Sequence, residues 1–175
     1  NYSNNNLWRF EQSSSLYFTI PKTNRITINL ESITGIITNT KVDSFFNFFA
    51  GGLNGLKGYP FYSIEGNAMA VFSSTLRFPF FREKHIPLGW FIIQNSTFGI
   101  IGQIGDAWDN KTESPGWNRS AGIQFRISGF SFYNYPTAIG LELHRGFDTF
   151  ERKIENNMVT YGNDQRFYLT VLFGF

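Results

Sequence analysis

The 175 residues contain no cysteine. That excludes a disulfide framework, a thiolate nucleophile and a cysteine-ligated metal. Histidine occurs only at His85 and His144, and no His, Asp and Glu fall at metal-ligand spacing. No serine sits in a nucleophile turn. The sequence therefore reads as a non-enzyme with no metal and no cofactor. Charge is scarce too, at 16% of residues with a net of +2. Without a basic cluster, nucleic acid is not an expected partner. No apolar run approaches the ~20 residues a membrane helix needs. There is no initiator methionine and no signal peptide, so the chain reads as a mature or excised segment.

What the chain has in excess is phenylalanine, 21 of 175 residues. Its mean hydropathy is nonetheless −0.20, because the large apolar groups are interleaved with Ser, Thr, Asn and Gly. Alternation of this kind predicts strands. Seven segments carry it: 7–20, 25–31, 67–78, 97–105, 120–130, 138–147 and 166–175. In the last, Phe167, Leu169, Val171, Phe173 and Phe175 share one face, opposite Arg166, Tyr168 and Thr170. In 138–147, Ile139, Leu141 and Leu143 oppose Glu142 and His144. Several segments exceed the usual five or six residues of a soluble strand and match the ~9–11 of a membrane barrel. Polar faces this rich in charge suit a wet lumen, with the apolar faces toward lipid. A soluble β-sandwich alternates as well, but this many outward phenylalanines on long strands would aggregate in water.

The expected fold is therefore all-β, an antiparallel transmembrane β-barrel segment of seven or eight strands spanning residues 1–175. The connections alternate between short or moderate ones (21–24, 79–90, 130–136) and long polar ones (38–66, 106–119, 148–164). Barrels of the outer membrane pair short periplasmic turns with long external loops, which places the C-terminus in the periplasm. Single-chain bacterial barrels have an even strand number. Seven strands ending in the periplasm predict the C-terminal part of a longer barrel, closed by the rest of its own chain or by another chain.

The stretch Gly51–Pro79 organises this reading. Gly51, Gly52, Gly55 and Gly58 permit close backbone approach, and one cation, Lys57, lies among them. The stretch becomes a strand at Asn67. A lysine in such a loop is ordinarily solvated. Asp106–Asn110 carries oxygen donors but reads as a polar external turn, and the sequons at Asn95, Asn110 and Asn118 read as chance matches in an Asn-rich chain.

Four segments in this order, FFAGGLNGLKGYPFYSIEGN, STLRFPFF, IGDAWD and the terminal RFYLTVLFGF, resemble the bacterial surface-antigen superfamily of outer-membrane barrels. That superfamily includes BamA, TamA and the two-partner secretion transporters, and the resemblance covers about residues 25–175. It implies a barrel of about sixteen strands, of which this chain is roughly the C-terminal half. It also implies that loop 38–66 folds into the lumen and that Leu56, Lys57, Gly58 and Tyr59 form its lock motif. The family has Arg where this chain has Lys57, and Lys cannot grip a carboxylate bidentately. The positions matching the usual acidic partners are Thr75 and Gln103, both uncharged. Asp106 lies nearby but on the opposite face by strand parity. Gln103, Thr75, Glu31 and Glu142 are thus the candidate lock partners.

The terminal strand, 165–175, matches the family's insertion signal, carried by Leu169, Val171, Phe173 and Phe175. The partners implied are outer-membrane lipid, the barrel-assembly machinery and a polypeptide substrate. The implied function is insertion or translocation of proteins at the bacterial outer membrane. The alternative is a passive anchor or export barrel for an N-terminal periplasmic or enzymatic domain.

Overall fold

A computed structural model describes residues 7–23, 25–38, 43–109, 115–132, 134–154 and 157–174. Their elements are β1 (Arg9–Thr19), β2 (Thr27–Ile37), a single 3-10 turn (Ser44–Phe46), β3 (Phe48–Phe49), β4 (Glu65–Gly66), β5 (Ala68–Phe81), β6 (Ile86–Leu88), β7 (Phe91–Trp108), β8 (Asn118–Ser131), β9 (Tyr135–Gly146), β10 (Phe150–Ile154), β11 (Asn157–Tyr161) and β12 (Gln165–Phe173). One eight-stranded sheet dominates. Its path is β1-β2-β5-β7-β8-β9-β12, with β6 paired to β7. Every pairing is antiparallel between neighbours along that path. Among the described residues β1 and β12 are the two ends and do not pair with each other. β3–β4 and β10–β11 are small separate ladders.

The all-β antiparallel expectation holds, and the differences lie in strand length. β2 continues six residues beyond the expected end at Glu31, to Ile37. β7 runs over 18 residues, overshooting the expected 97–105 at both ends. For β2, and for the C-terminal end of β7 at Ala107, the cause is the covering loop. Where the glycine-rich segment covers the sheet, the inner face becomes apolar: Ile33, Ile37, Met69 and Val71 all point at it. Apolar residues then occupy both faces, and alternation disappears although the strand continues. The 79–90 connection also contains β6, and the 148–164 connection contains the β10–β11 hairpin.

The core follows from this inversion. The buried cluster is Ile37, Phe48, Ala50, Leu56, Tyr59, Ile64, Met69, Val71 and Ala107. Most of it belongs to segment 48–64 and to the strand face beneath. The opposite face of the sheet stays exposed, with Leu16, Phe72, Ile100, Ile123, Leu141 and Phe167 all at least 40% accessible. Leu169, Val171 and Phe173 lie on that same outer face, beside Leu141, Ile139 and Thr137 of β9. Phe175 lies outside the described residues.

Candidate functional site

The chain between β3 and β4 folds back on itself before it reaches the sheet. The Leu56 amide donates to the Ala50 carbonyl at 2.6 Å, and the Gly52 and Tyr59 amides donate to the Leu56 carbonyl at 3.2 and 3.1 Å. Leu56 is fully buried in the cluster described above. This tight fold sets Lys57, Gly58 and Tyr59 in a row against the inner face.

Lys57 is gripped at three points by three different strands. Its amide donates to Gln103 Oε1 on β7 at 3.0 Å. Its carbonyl accepts from the Tyr168 hydroxyl on β12 at 2.9 Å. Its ammonium donates to Glu142 Oε2 on β9 at 2.5 Å. Gln103 completes its own grip by donating to the Gly55 carbonyl at 2.8 Å, while Ser120 donates to Gln103 Oε1 at 3.1 Å. Both oxygens of the Glu142 carboxylate are hydrogen-bonded. Gln124 donates to Oε1 at 2.5 Å, and the His144 Nε2–H group lies 2.9 Å from Oε2. A buried carboxylate needs this satisfaction to offset its desolvation. Gln124 and His144 each take one position, on different oxygens, and the ammonium adds a single contact to Oε2.

Of the four candidate partners, the structure therefore brings Gln103 and Glu142 to Lys57. The ammonium meets the charged candidate on β9, Glu142, while the Lys57 amide meets the uncharged Gln103. Thr75 and Glu31 make no described hydrogen bond to Lys57. Glu31 instead accepts from Asn29 Nδ2 at 2.5 Å. It lies in the row Glu31–Ser73–Gln103, two strands from Gln103 at about 4.8 Å per strand, and the lysine stem leans the other way, toward β9. Both residues line a cavity of about 330 Å³ beside Lys57. Asp106 is held by the Gly116 amide and by Asn118 Nδ2, the latter at 3.2 Å. Asn110 lies outside the described residues.

Gly58 explains how the backbone comes so close. A Cβ there would stand 2.5 Å from the Gly146 nitrogen and 2.7 Å from the Arg145 carbonyl carbon and the Ser120 Cβ. No side chain fits without lifting the segment off β8 and β9. Tyr59 then enters a closed socket and is fully buried. Its hydroxyl lies 2.9 Å from the Arg119 carbonyl and 3.0 Å from the Asp148 carbonyl, and accepts from the Asp148 amide at 3.2 Å. Burial raises the phenol above its ordinary value, and the charge of Asp148 adds to the shift. Phe150 packs on the ring at 5.9 Å between centroids. Outside the socket, Arg152 from β10 donates to the Tyr62 carbonyl at 2.7 Å, the Ser63 carbonyl at 3.3 Å and the Glu65 carboxylate.

The wall of the socket is fixed by an ion pair. Arg119 Nε and Nη2 donate to the two Asp148 oxygens at 3.0 and 2.7 Å, and the Arg119 amide donates to the same carboxylate at 2.7 Å. These bonds, led by the guanidinium's, hold the Asp148 carboxyl below its ordinary value. A depressed carboxyl contributes stability that is complete above its unfolded value of about 3.9 and is lost as pH falls through the lower folded value. Protease protection of segment 50–64 should therefore weaken below about pH 4, and Asp148→Asn should flatten that acid limb. An unchanged acid profile in the variant would remove the pair from any role in docking.

Tyr168, Gln124 and Ser120 were missed from the sequence as contacts of this site. The signal for them was available in strand parity. Tyr168 pairs with Glu142 and Gln124 with Glu142, so all three share one face at one height. The Arg152 clasp had no such signal, because it comes from a connection that reads only as polar.

The architecture is an antiparallel all-β wall with an exposed apolar face and a glycine-rich loop held to its opposite face. The family comparison agrees: the Omp85 superfamily domain matches residues 1–143 of the 175, and the chain belongs to that superfamily. Neither the curated proteins nor the solved structures gave a significant match.

Proposed function

We propose that the sheet is the C-terminal part of a transmembrane barrel of the bacterial outer membrane, and that it takes part in insertion or translocation of polypeptide there. Segment 38–66 plugs the lumen, Lys57 and Glu142 lock it, and Leu169, Val171 and Phe173 face lipid as part of a C-terminal insertion signal. One observation carries this reading: the buried core lies between the loop and the polar face, while the apolar face is exposed. Lipid is the surrounding that makes such a distribution stable. The loop is held by the apolar cluster around Leu56 and Tyr59, by hydrogen bonds and by two ion pairs, Lys57–Glu142 and Arg152–Glu65, and the polar contacts among these are ones that water or a polar client can replace. A passive anchor has no need of a releasable plug.

Because these 175 residues contain no cysteine, a thiol pair can be placed in them. Asn54→Cys with Ser73→Cys sets one thiol on the loop and one on β5, both lining the cavity beside Lys57, and a reducible bis-maleimide can bridge them. In proteoliposomes, crosslinking should reduce insertion of a client barrel to background, and reduction should restore it. Equal client insertion in both states would refute plug release and leave the anchor reading.

A further inference from the structure

The two rims of the sheet treat their cations differently. At the rim of the long connections, arginines are engaged: Arg119 with Asp148, Arg152 with Glu65 and Arg145 with Asn163. At the opposite rim, Lys22 and Arg25 lie in the β1–β2 turn, and Arg82 and Lys84 lie between β5 and β6. None of these four makes an ion pair with a described residue. The only acid in either turn is Glu83.

The Arg82–His85 turn is also held in place rather than left loose. Glu83 sits at φ +52°, and its amide donates to Asn95 Oδ1 at 3.2 Å. The Lys84 amide donates to the Gln94 carbonyl at 3.1 Å, and His85 Nε2 lies 3.3 Å from Gln94 Nε2. Both anchor residues lie at the register shift of β7 between Ile93 and Asn95. The turn is thus strapped to a bulge, its two cations making no ion pair with a described residue. Apolar rings border it: Trp90 and Phe132 stack at 5.1 Å and 12°, and Phe80 is 79% exposed.

We infer that this rim binds the headgroup phosphates of anionic glycerophospholipid in the adjacent leaflet. Exposed aromatic rings settle at headgroup level, and cations set beside them draw anionic lipid within a Debye length. The positive charge and the rings occupy the same edge, so a lipid can place its chains against the rings and its phosphate at Arg82 and Lys84. This inference rests on the membrane-spanning reading above.

The test uses the whole protein reconstituted into nanodiscs of phosphatidylcholine with a minor share of phosphatidylglycerol. Lipid retained by the protein is then counted by native mass spectrometry. Wild type should enrich phosphatidylglycerol roughly fivefold or more over its bulk share. Arg82→Gln/Lys84→Gln should lower the enrichment, and adding Lys22→Gln/Arg25→Gln should return it to the bulk share. Undiminished enrichment in the fourfold variant would overturn the inference, as would no enrichment in wild type, the result expected if the rim docks an acidic protein instead. Loss of enrichment in Arg119→Gln/Arg145→Gln, with the fourfold variant unaffected, would move the site to the other rim. A chain that is never heat-modifiable, and so never inserts, would overturn the membrane reading itself. That outcome is separable from an inserted chain without lipid preference.

Discussion

Glu142→Ala is expected to release the docked loop, at a cost of about 3 kcal/mol in docking free energy. That is on the order of a 100-fold rise in the undocked fraction. The side chain of Glu142 is 7% exposed and that of Lys57 is 20% exposed, so the figure is set at the lower end of the range for a broken buried pair. The two halves of the pair are not equivalent. Removing Glu142 leaves the Lys57 ammonium without its anion and takes from Gln124 and His144 their shared acceptor. Removing Lys57 leaves Glu142 still bonded to both. Lys57→Ala should therefore weaken docking less than Glu142→Ala, and the double variant should be no worse than Glu142→Ala alone. Planar-bilayer conductance and protease cleavage between residues 50 and 64 read the effect. Conductance and cleavage unchanged from wild type would sink the lock.

Much of this was legible from alternation. Strands facing two different media keep a strict period of two, so β8, β9 and β12 emerged within a few residues of their true ends. The pattern failed where the loop lies on the sheet. Ile33 and Ile37 point inward and apolar, and nothing local distinguishes that from a strand ending at Glu31. The lock was half legible for a related reason. Parity put Glu142 and Gln103 on the inner face, but which of several inner polar residues meets Lys57 depends on where the loop rests. That is decided by Gly58 against Gly146, a contact between residues 88 positions apart by number. Tyr168 escaped because a tyrosine on a polar face suggests no donor to a backbone carbonyl. The hairpin β10–β11 escaped because its strands are five residues each, too short for alternation to register.

Tyr59→Ala should undock the loop as severely as loss of Glu142, by about 3–5 kcal/mol, the usual cost of emptying a buried aromatic site. The ring is fully enclosed, and the glycines beneath it leave no side chain to collapse into the void. A Cβ on Gly146 would lie 2.8 Å from the ring's Cζ. Tyr59→Phe separates the ring from its hydroxyl. The Arg119 carbonyl keeps a second donor in the Phe147 amide at 2.9 Å, so the phenol matters most at Asp148, whose amide donates to it and whose carbonyl lies 3.0 Å from it. Losing that acceptor should cost about 1–2 kcal/mol. The order wild type, Phe, Ala is thus expected in protease protection of the loop. If Phe were as damaging as Ala, the hold would reside in the hydroxyl and the Arg119–Asp148 socket rather than in the ring. If Ala kept full protection, Lys57 and its three strand contacts would suffice without Tyr59. In the expected case, where Tyr59→Ala undocks the loop, adding Glu142→Ala should cost little more, because a loop already released from one anchor no longer presents Lys57 to the other.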